Sequence, residues 1–251
     1  MTELRNGLFI ISHARVSAFR ECPRKYWYAY VSEEEWPEDL MSPPGIVGIG
    51  VHRGMRDLCV TGNPALGRRS LEVYLKMPSH REAGPGTAWY EQAMTLFEAG
   101  VRAHATIAAE ESWAELVAYA DWPSGGVVLE TRADRVDRLS ADRYQVVDWK
   151  TGHFEYDDET DDQLDIAHVA ARRKLKLGDD VVVRAIAWNL RAGPPRVREL
   201  EAEDADWTLE RMAALAGRIR AETAYEAAPG PPCRFCRWHS VCPEAAPQPG
   251  G

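Results

Sequence analysis

The chain has 251 residues, 45% of them hydrophobic and 27% charged, with a formal net charge of −9. That balance fits a soluble globular protein with a sizeable core. No apolar run approaches the ~18 residues of a membrane span, and the apolar part of "MTELRNGLFIISHARVS" is too short for a secretory signal. An intracellular, cytoplasmic setting is therefore expected, in which grouped cysteines hold metal more often than disulfides.

In chain order, Ser12 can cap a short helix ending near residue 21. Pro23 suits the first turn of a second helix, "PRKYWYAYV". Residues 32–45 read as an acidic, Pro-rich loop. "GIVGIGVHRGMRDLCV" then places Val47, Val51, Met55 and Leu58 at helical spacing. The Gly, Pro and Asn of residues 61–86 predict irregular structure. A long helix is expected over 87–119, with Trp89, Ala93, Leu96, Phe97, Val101 and His104 on one stripe.

The pattern then turns β-rich. "VVLETRADRVDRL" and "YQVVDWK" flank the turn "SAD", which makes them antiparallel neighbours. A helix follows from about Asp161 to Leu177, ended by Gly178. "VVVRAIAWNL" and "RVRELEA" form a further strand pair across "RAGPP". A last helix covers about 204–226, and the terminal residues 244–251 read as a disordered tail. The order implies an α/β core with a helical N-terminal extension.

Cys233, Cys236 and Cys242 form C-x2-C-x5-C, a spacing that can hold one metal centre. Three thiolates leave one ligand to find, and Cys22, just before Pro23, is the candidate fourth. Zinc and an iron–sulfur cluster both suit such a set. The ligands would tie the two ends of the chain together. Cys59, between Leu58 and Val60, reads as a core residue.

Asp134 and Asp148 fall in the two neighbouring β segments. Two carboxylates converging from adjacent strands can hold a hard cation such as Mg²⁺ or Mn²⁺. Such a cation offsets phosphate charge and acidifies a bound water. Lys150 shares a face with Asp148, while the Trp149 side chain points away and leaves its backbone carbonyl for the metal. Asp137 is a rival for Asp134, and Glu130 an additional candidate. Taken alone, D-x-K reads as a strand-end ion pair on a solvated face, and a single His52 on an apolar helix reads as a core or surface group rather than a ligand.

The ordered set is more specific than its parts. Gly48 to His52 (G-x-x-x-H), Asp134, Asp148-x-Lys150 and Gln163-Leu164, with "CPRKY" at Cys22 and the C-terminal cysteines, resembles the RecB-type branch of the PD-(D/E)xK nuclease superfamily. Its iron–sulfur subset includes CRISPR-associated exonucleases of the Cas-four type, the AddB nuclease domain and phage exonucleases. The resemblance covers residues 12–243. It implies a restriction-endonuclease-like mixed sheet flanked by helices, in one nuclease domain over residues 1–243. Residues 12–125 would be mainly helical, 126–202 the sheet core with the metal site, and 203–243 the last helix and cluster segment.

The same resemblance implies roles. His52, Asp134, Asp148 and the Trp149 carbonyl would bind the catalytic Mg²⁺ or Mn²⁺. Lys150 would assist the attacking water, and Gln163 would contact DNA or support the site. Cys22, Cys233, Cys236 and Cys242 would hold a [4Fe–4S] cluster, with zinc the alternative. The activity would be metal-dependent DNA exonuclease cleavage at single-stranded or frayed ends, in a bacterial, archaeal or phage-infected cell. A helicase, recombination or CRISPR-adaptation partner would be a separate chain. The net charge of −9 is compatible with a DNA substrate if basic residues such as Arg20, Arg24, Lys25, Arg172, Arg173 and Lys174 line its path. The competing readings are a non-catalytic DNA-binding adaptor on the same fold and a zinc-stapled interaction domain. One departure stands out: the family's Q-x-x-x-Y ends here in Ala167, beside His168.

Overall fold

The computed structural model describes residues 4–34, 42–152, 158–191 and 193–245. Most of the expected acidic loop (35–41), residues 155–157 of the acidic stretch and the tail from 246 lie outside them. The chain divides into two compact units: Met1–Asp39 with Ala120–Glu130 and Trp207–Gly251, and Leu40–Tyr119 with Thr131–Asp206.

The first unit opens with two short strands ahead of the expected helices. β1 (Leu4–Arg5) pairs antiparallel with β2 (Leu8–Ser12), and β2 runs parallel to the start of β4 (Val127–Arg138), Phe9 opposite Val127 and Ser12 opposite Glu130. Phe9 and Ile11 are buried and their neighbours are not, so the period of two is present. It is too short to dominate the sequence pattern. Ser12 closes β2 and caps α1 (His13–Glu21), accepting the Arg15 N–H over 3.4 Å. Cys22 adopts extended backbone between α1 and α2 (Pro23–Tyr30), with Pro23 in the first helical turn. Most of α7 (Ala202–Ala221) and a 3-10 turn at Pro231–Phe235 complete this unit.

In the second unit, α3 (Pro43–Thr61), α4 (Pro64–Leu75) and α5 (Ala88–Ala105) pack together. α4 overturns the irregular segment expected at 61–86. The punctuating residues there are two helix ends meeting: Gly62 takes a left-handed φ of 65° after α3, and Asn63 caps α4 through the Ala65 N–H at 2.9 Å. A Cβ on Gly67 would stand 2.6 Å from the Gly54 carbonyl oxygen, so α3 and α4 meet backbone to backbone.

The helix expected over 87–119 stops at Ala105, and β3 (Glu111–Trp122) follows and pairs with β4. Pairing with a neighbouring strand overrides the helical propensity of "AELVAYA". β4 pairs antiparallel with β5 (Arg143–Lys150), Arg135 opposite Val147. β5 is parallel to β6 (Val182–Asn189), and β6 antiparallel to β7 (Arg196–Leu200). The connection from β5 to β6 carries α6 (Asp158–Leu175), which ends before a left-handed Lys176 (φ 54°) rather than at Gly178.

This is the mixed α/β sheet flanked by helices that the sequence predicts. β5 is buried on both faces. Val147 and Trp149 pack with Val51, Met55, Leu58, Leu71 and Phe97 of the helices, while Val146 packs with Ala133, Val136, Ala171 and Val183 on the side of α6. That explains its apolar run. Among the described residues, no helix is long and apolar enough to cross a membrane.

Candidate active site

The β4–β5 register that pairs Arg135 with Val147 sets Asp134 across from Asp148. Asp134 Oδ2 accepts the Trp149 backbone N–H at 2.7 Å, and its Oδ1 lies 2.9 Å from His52 Nδ1. α3 brings the imidazole in. A Cβ on Gly48, one turn before His52, would lie 3.2 Å from Thr151 Oγ1, so the glycine lets the helix approach the end of β5.

Beside this pair, Lys150 Nζ stands 2.8 Å from Asp148 Oδ2, and Gln163 Nε2 donates to Asp148 Oδ1 at 2.7 Å. Lys150 also donates to Gln163 Oε1. The three side chains form a closed ring, with α6 supplying the member that joins the other two. His52, Asp134, Asp148, Lys150 and Gln163 are all half-buried.

The electrostatics follow from crowding. Burial pushes the Asp148 carboxyl up, as does the charge of Asp134, while Lys150 and His52 oppose them. Burial alone would lower His52, but the hydrogen bond and charge of Asp134, with Asp148 and Glu115 behind it, carry it up to about 9. Two carboxylates and an imidazole form a donor set suited to a hard divalent cation. As the side chains stand, the carboxylate oxygens are engaged by His52, Trp149, Gln163 and Lys150. Among the described residues no three His, Cys, Asp or Glu groups close on a single ion.

Trp149 is buried against Trp188, ring centroids 5.9 Å apart, so its side chain takes no part in the site. The rival Asp137 is fully buried and satisfied by Arg135 Nε (2.7 Å), Gln145 Nε2 (2.7 Å) and Ser112 Oγ (2.5 Å), which makes it structural. Glu130 falls in the first unit. Ala167 is buried in the apolar cluster under α6, and His168 is fully buried, so neither opens onto this site.

Glu115 is the residue that sequence reasoning missed. It lines a groove with His52 and Asp134, and burial, then the charge of Asp134, raises its carboxyl. Its backbone is left-handed (φ 52°), a conformation that costs a non-glycine residue about 1–2 kcal/mol. The helical periodicity assigned to residues 107–119 concealed it. Arg53, Arg56 and Arg132 share the groove. Of these, only Arg56 had a signal in the sequence, the α3 spacing of Gly48, His52 and Arg56.

In the first unit, Cys22, Cys233, Cys236 and Cys242 line one cavity with Lys25, Tyr28 and Trp238. All four are free thiols. The Ala228 N–H donates to Cys22 Sγ at 3.3 Å and the Gly230 N–H to Cys233 Sγ at 3.4 Å. Cys59 is half-buried on α3, in the second unit, rather than in the core.

A family model, the PD-(D/E)XK nuclease superfamily, matches residues 10–243. Among solved structures, the "Putative exonuclease" from Eubacterium rectale matches with a TM-score of 0.58 and 12% identity, over 95% of this chain and 91% of that one. That similarity is one of fold. SSO0001 matches at a TM-score of 0.38 and 16% identity, over 90% of this chain and 94% of that one. None of the curated proteins matches the chain.

Proposed function

Because the chain belongs to the PD-(D/E)XK nuclease superfamily, we propose that it is a divalent-metal-dependent DNA exonuclease acting on single-stranded or frayed ends. The observation that carries this reading is the pairing of two sets: His52 with Asp134 (2.9 Å), and the ring of Asp148, Lys150 and Gln163. His52, Asp134, Asp148 and the Trp149 carbonyl are the groups that would hold Mg²⁺ or Mn²⁺. Bound there, the cation supplies charge to the scissile phosphate and acidifies a water.

The chain's own groups do the rest. Lys150, fixed between Asp148 and Gln163, presents an ammonium where negative charge develops on phosphate oxygens. Gln163 sets the orientation of both partners through one amide, as outer groups do around metal ligands. Asp134 is held by the Trp149 N–H, so its second oxygen is aimed at His52. To ligate the cation, His52 would have to give up the proton that Asp134 and Asp148 favour in the metal-free site and present a neutral ring nitrogen.

The four cysteines of the first unit support a second, structural centre, a [4Fe–4S] cluster. They share one cavity, and backbone N–H groups point at two of the sulfurs, as suits thiolates that must carry charge. Zinc held by the same four thiolates is the alternative.

The test is incubation of anaerobically purified protein with end-labelled single strands and Mn²⁺. Progressive shortening from an end is expected. DNA that is bound but never cut, with either Mn²⁺ or Mg²⁺, would overturn the reading in favour of an adaptor.

A further inference from the structure

The groove beside His52 holds three arginines to which the cleavage reading gives no task. It encloses about 590 Å³ and is lined by Pro44, Gly45, Gly48, Ile49, His52, Arg53 and Arg56 on one side and by Glu115, Arg132, Asp134 and Thr151 on the other. That volume is of small-ligand size, within the range of about 300–1,000 Å³, and suits a nucleotide or two of one strand rather than a duplex.

The α3 wall is graded. Gly45, Gly48, Ile49, His52 and Arg56 recur every three or four residues on one face. The two glycines and the exposed Ile49 leave one end smooth and apolar, open to close approach. Arg53 and Arg56 make the other end basic.

The arginines are lightly held. Arg53 lies over the Tyr74 ring, 4.6 Å from its centroid, a contact that uses none of its N–H donors. Arg56 is bonded to the adjacent Asp57 at 2.7 Å, and Arg132, 67% exposed, stays 3.4 Å from Glu115. Exposed pairs of this kind contribute little, so phosphate oxygens can replace their carboxylates at small cost. Guanidinium groups match phosphate with paired N–H donors. Three of them offset the carboxylates of Asp134, Asp148 and Glu115, which would otherwise repel a phosphodiester.

We propose that this groove seats a single DNA strand, with Arg53, Arg56 and Arg132 on the backbone phosphates that flank the one to be cut. The inference rests on the nuclease reading and adds the strand path to it. It replaces the path expected through Arg172, whose guanidinium is bonded to the Val181 and Gly178 carbonyls at 2.6 Å. Arg173 shares its surface with Asp179, Glu201, Glu203 and Asp206, which is no place for a phosphate chain.

The experiment is fluorescence anisotropy of a labelled single-stranded oligothymidylate in chelator, where nothing is cut, across a salt series. Wild type is compared with the Arg56→Gln/Arg132→Gln double variant and with Arg69→Gln, an exposed arginine on α4 outside the groove. A single-strand phosphate contact contributes a slope of about 0.7 in log affinity against log salt. The double variant should therefore be shallower by about 1.4 and bind about tenfold or more weakly at low salt, with Arg69→Gln unchanged. A wild-type slope in the double variant, or an equal loss in Arg69→Gln, would overturn the groove. The same oligonucleotide with Mn²⁺ tests cleavage separately. A wild type that never cuts defeats the nuclease reading while the slopes still decide where the strand lies.

Discussion

Gln163 Nε2 donates to Asp148 Oδ1 over 2.7 Å, and the same amide accepts from Lys150 through its oxygen. One neutral side chain therefore fixes the two charged ones against each other. Its expected contribution is orientation, not charge. Gln163→Ala should reduce the rate of Mn²⁺-dependent cleavage by about 10- to 100-fold, the usual range for outer-shell partners. Single-turnover kinetics alongside a melting curve would separate this from general destabilisation.

Asp148 and Lys150 should fail differently. Asp148→Asn removes a ligand and a charge from the cation, so both Mn²⁺ affinity, read by calorimetry, and cleavage should be lost. An ammonium cannot coordinate the cation. Lys150→Ala should therefore keep Mn²⁺ binding and lose about 10²- to 10³-fold in turnover, as when one transition-state donor is removed. DNA binding should survive both changes. If Asp148→Asn cuts at the wild-type rate, the D-x-K triplet is only an ion pair.

Gly48→Val tests the approach of α3 to β5. Even a Cβ would lie 3.2 Å from Thr151 Oγ1, and valine adds two more carbons. Overpacking of this kind costs typically about 1–3 kcal/mol. A lower melting temperature is expected, together with a higher Mn²⁺ requirement, because His52 is displaced by the same movement.

His168 predicts an acid sensitivity. The ring is fully buried, and neither nitrogen has a hydrogen-bond partner among the described residues. Burial, reinforced by Arg172 and Arg198, lowers its pKa to about 3 from 6.5. The folded state binds that proton less readily than the unfolded chain does. The penalty is therefore absent above pH 6.5 and grows as pH falls towards 3, reaching on the order of 5 kcal/mol. Asp165, raised to about 6 by burial, works in the opposite sense. The informative quantity is thus the difference between wild type and His168→Leu at each pH. The variant should gain stability relative to wild type at pH 4–5, and the gain should shrink towards pH 7.5.

The cysteine centre predicts a brown protein after anaerobic purification, with broad absorbance, iron and sulfide. Cys22→Ala should lose colour and melt earlier, because that ligand lies 211 residues before Cys233. Cys59→Ala should keep the colour. Stoichiometric zinc without iron, from iron-replete cells, would remove the cluster from the account.

His52, Asp134, Asp148, Lys150 and Gln163 were named from the sequence through the ordered set that resembles the nuclease family, since a single D-x-K or G-x-x-x-H match is too short to single out a site. The apolar stripes of α3 and α5 and the strands β4 to β7 were legible because their periods repeat over enough residues to be read. What the tertiary structure decided is nonlocal. Asp134 and Asp137 are equivalent as sequence, and only the packing of Arg135, Gln145 and Ser112 around Asp137 makes that one structural and leaves Asp134 to His52. β2 and β3 became strands because β4 was there to pair with them, against a short pattern in one case and a helical propensity in the other. Glu115, Arg53, Arg56 and Arg132 come from three different elements and meet in one groove. The physical reason is that strand pairing and helix packing join residues far apart in the chain, and no local spacing carries that information.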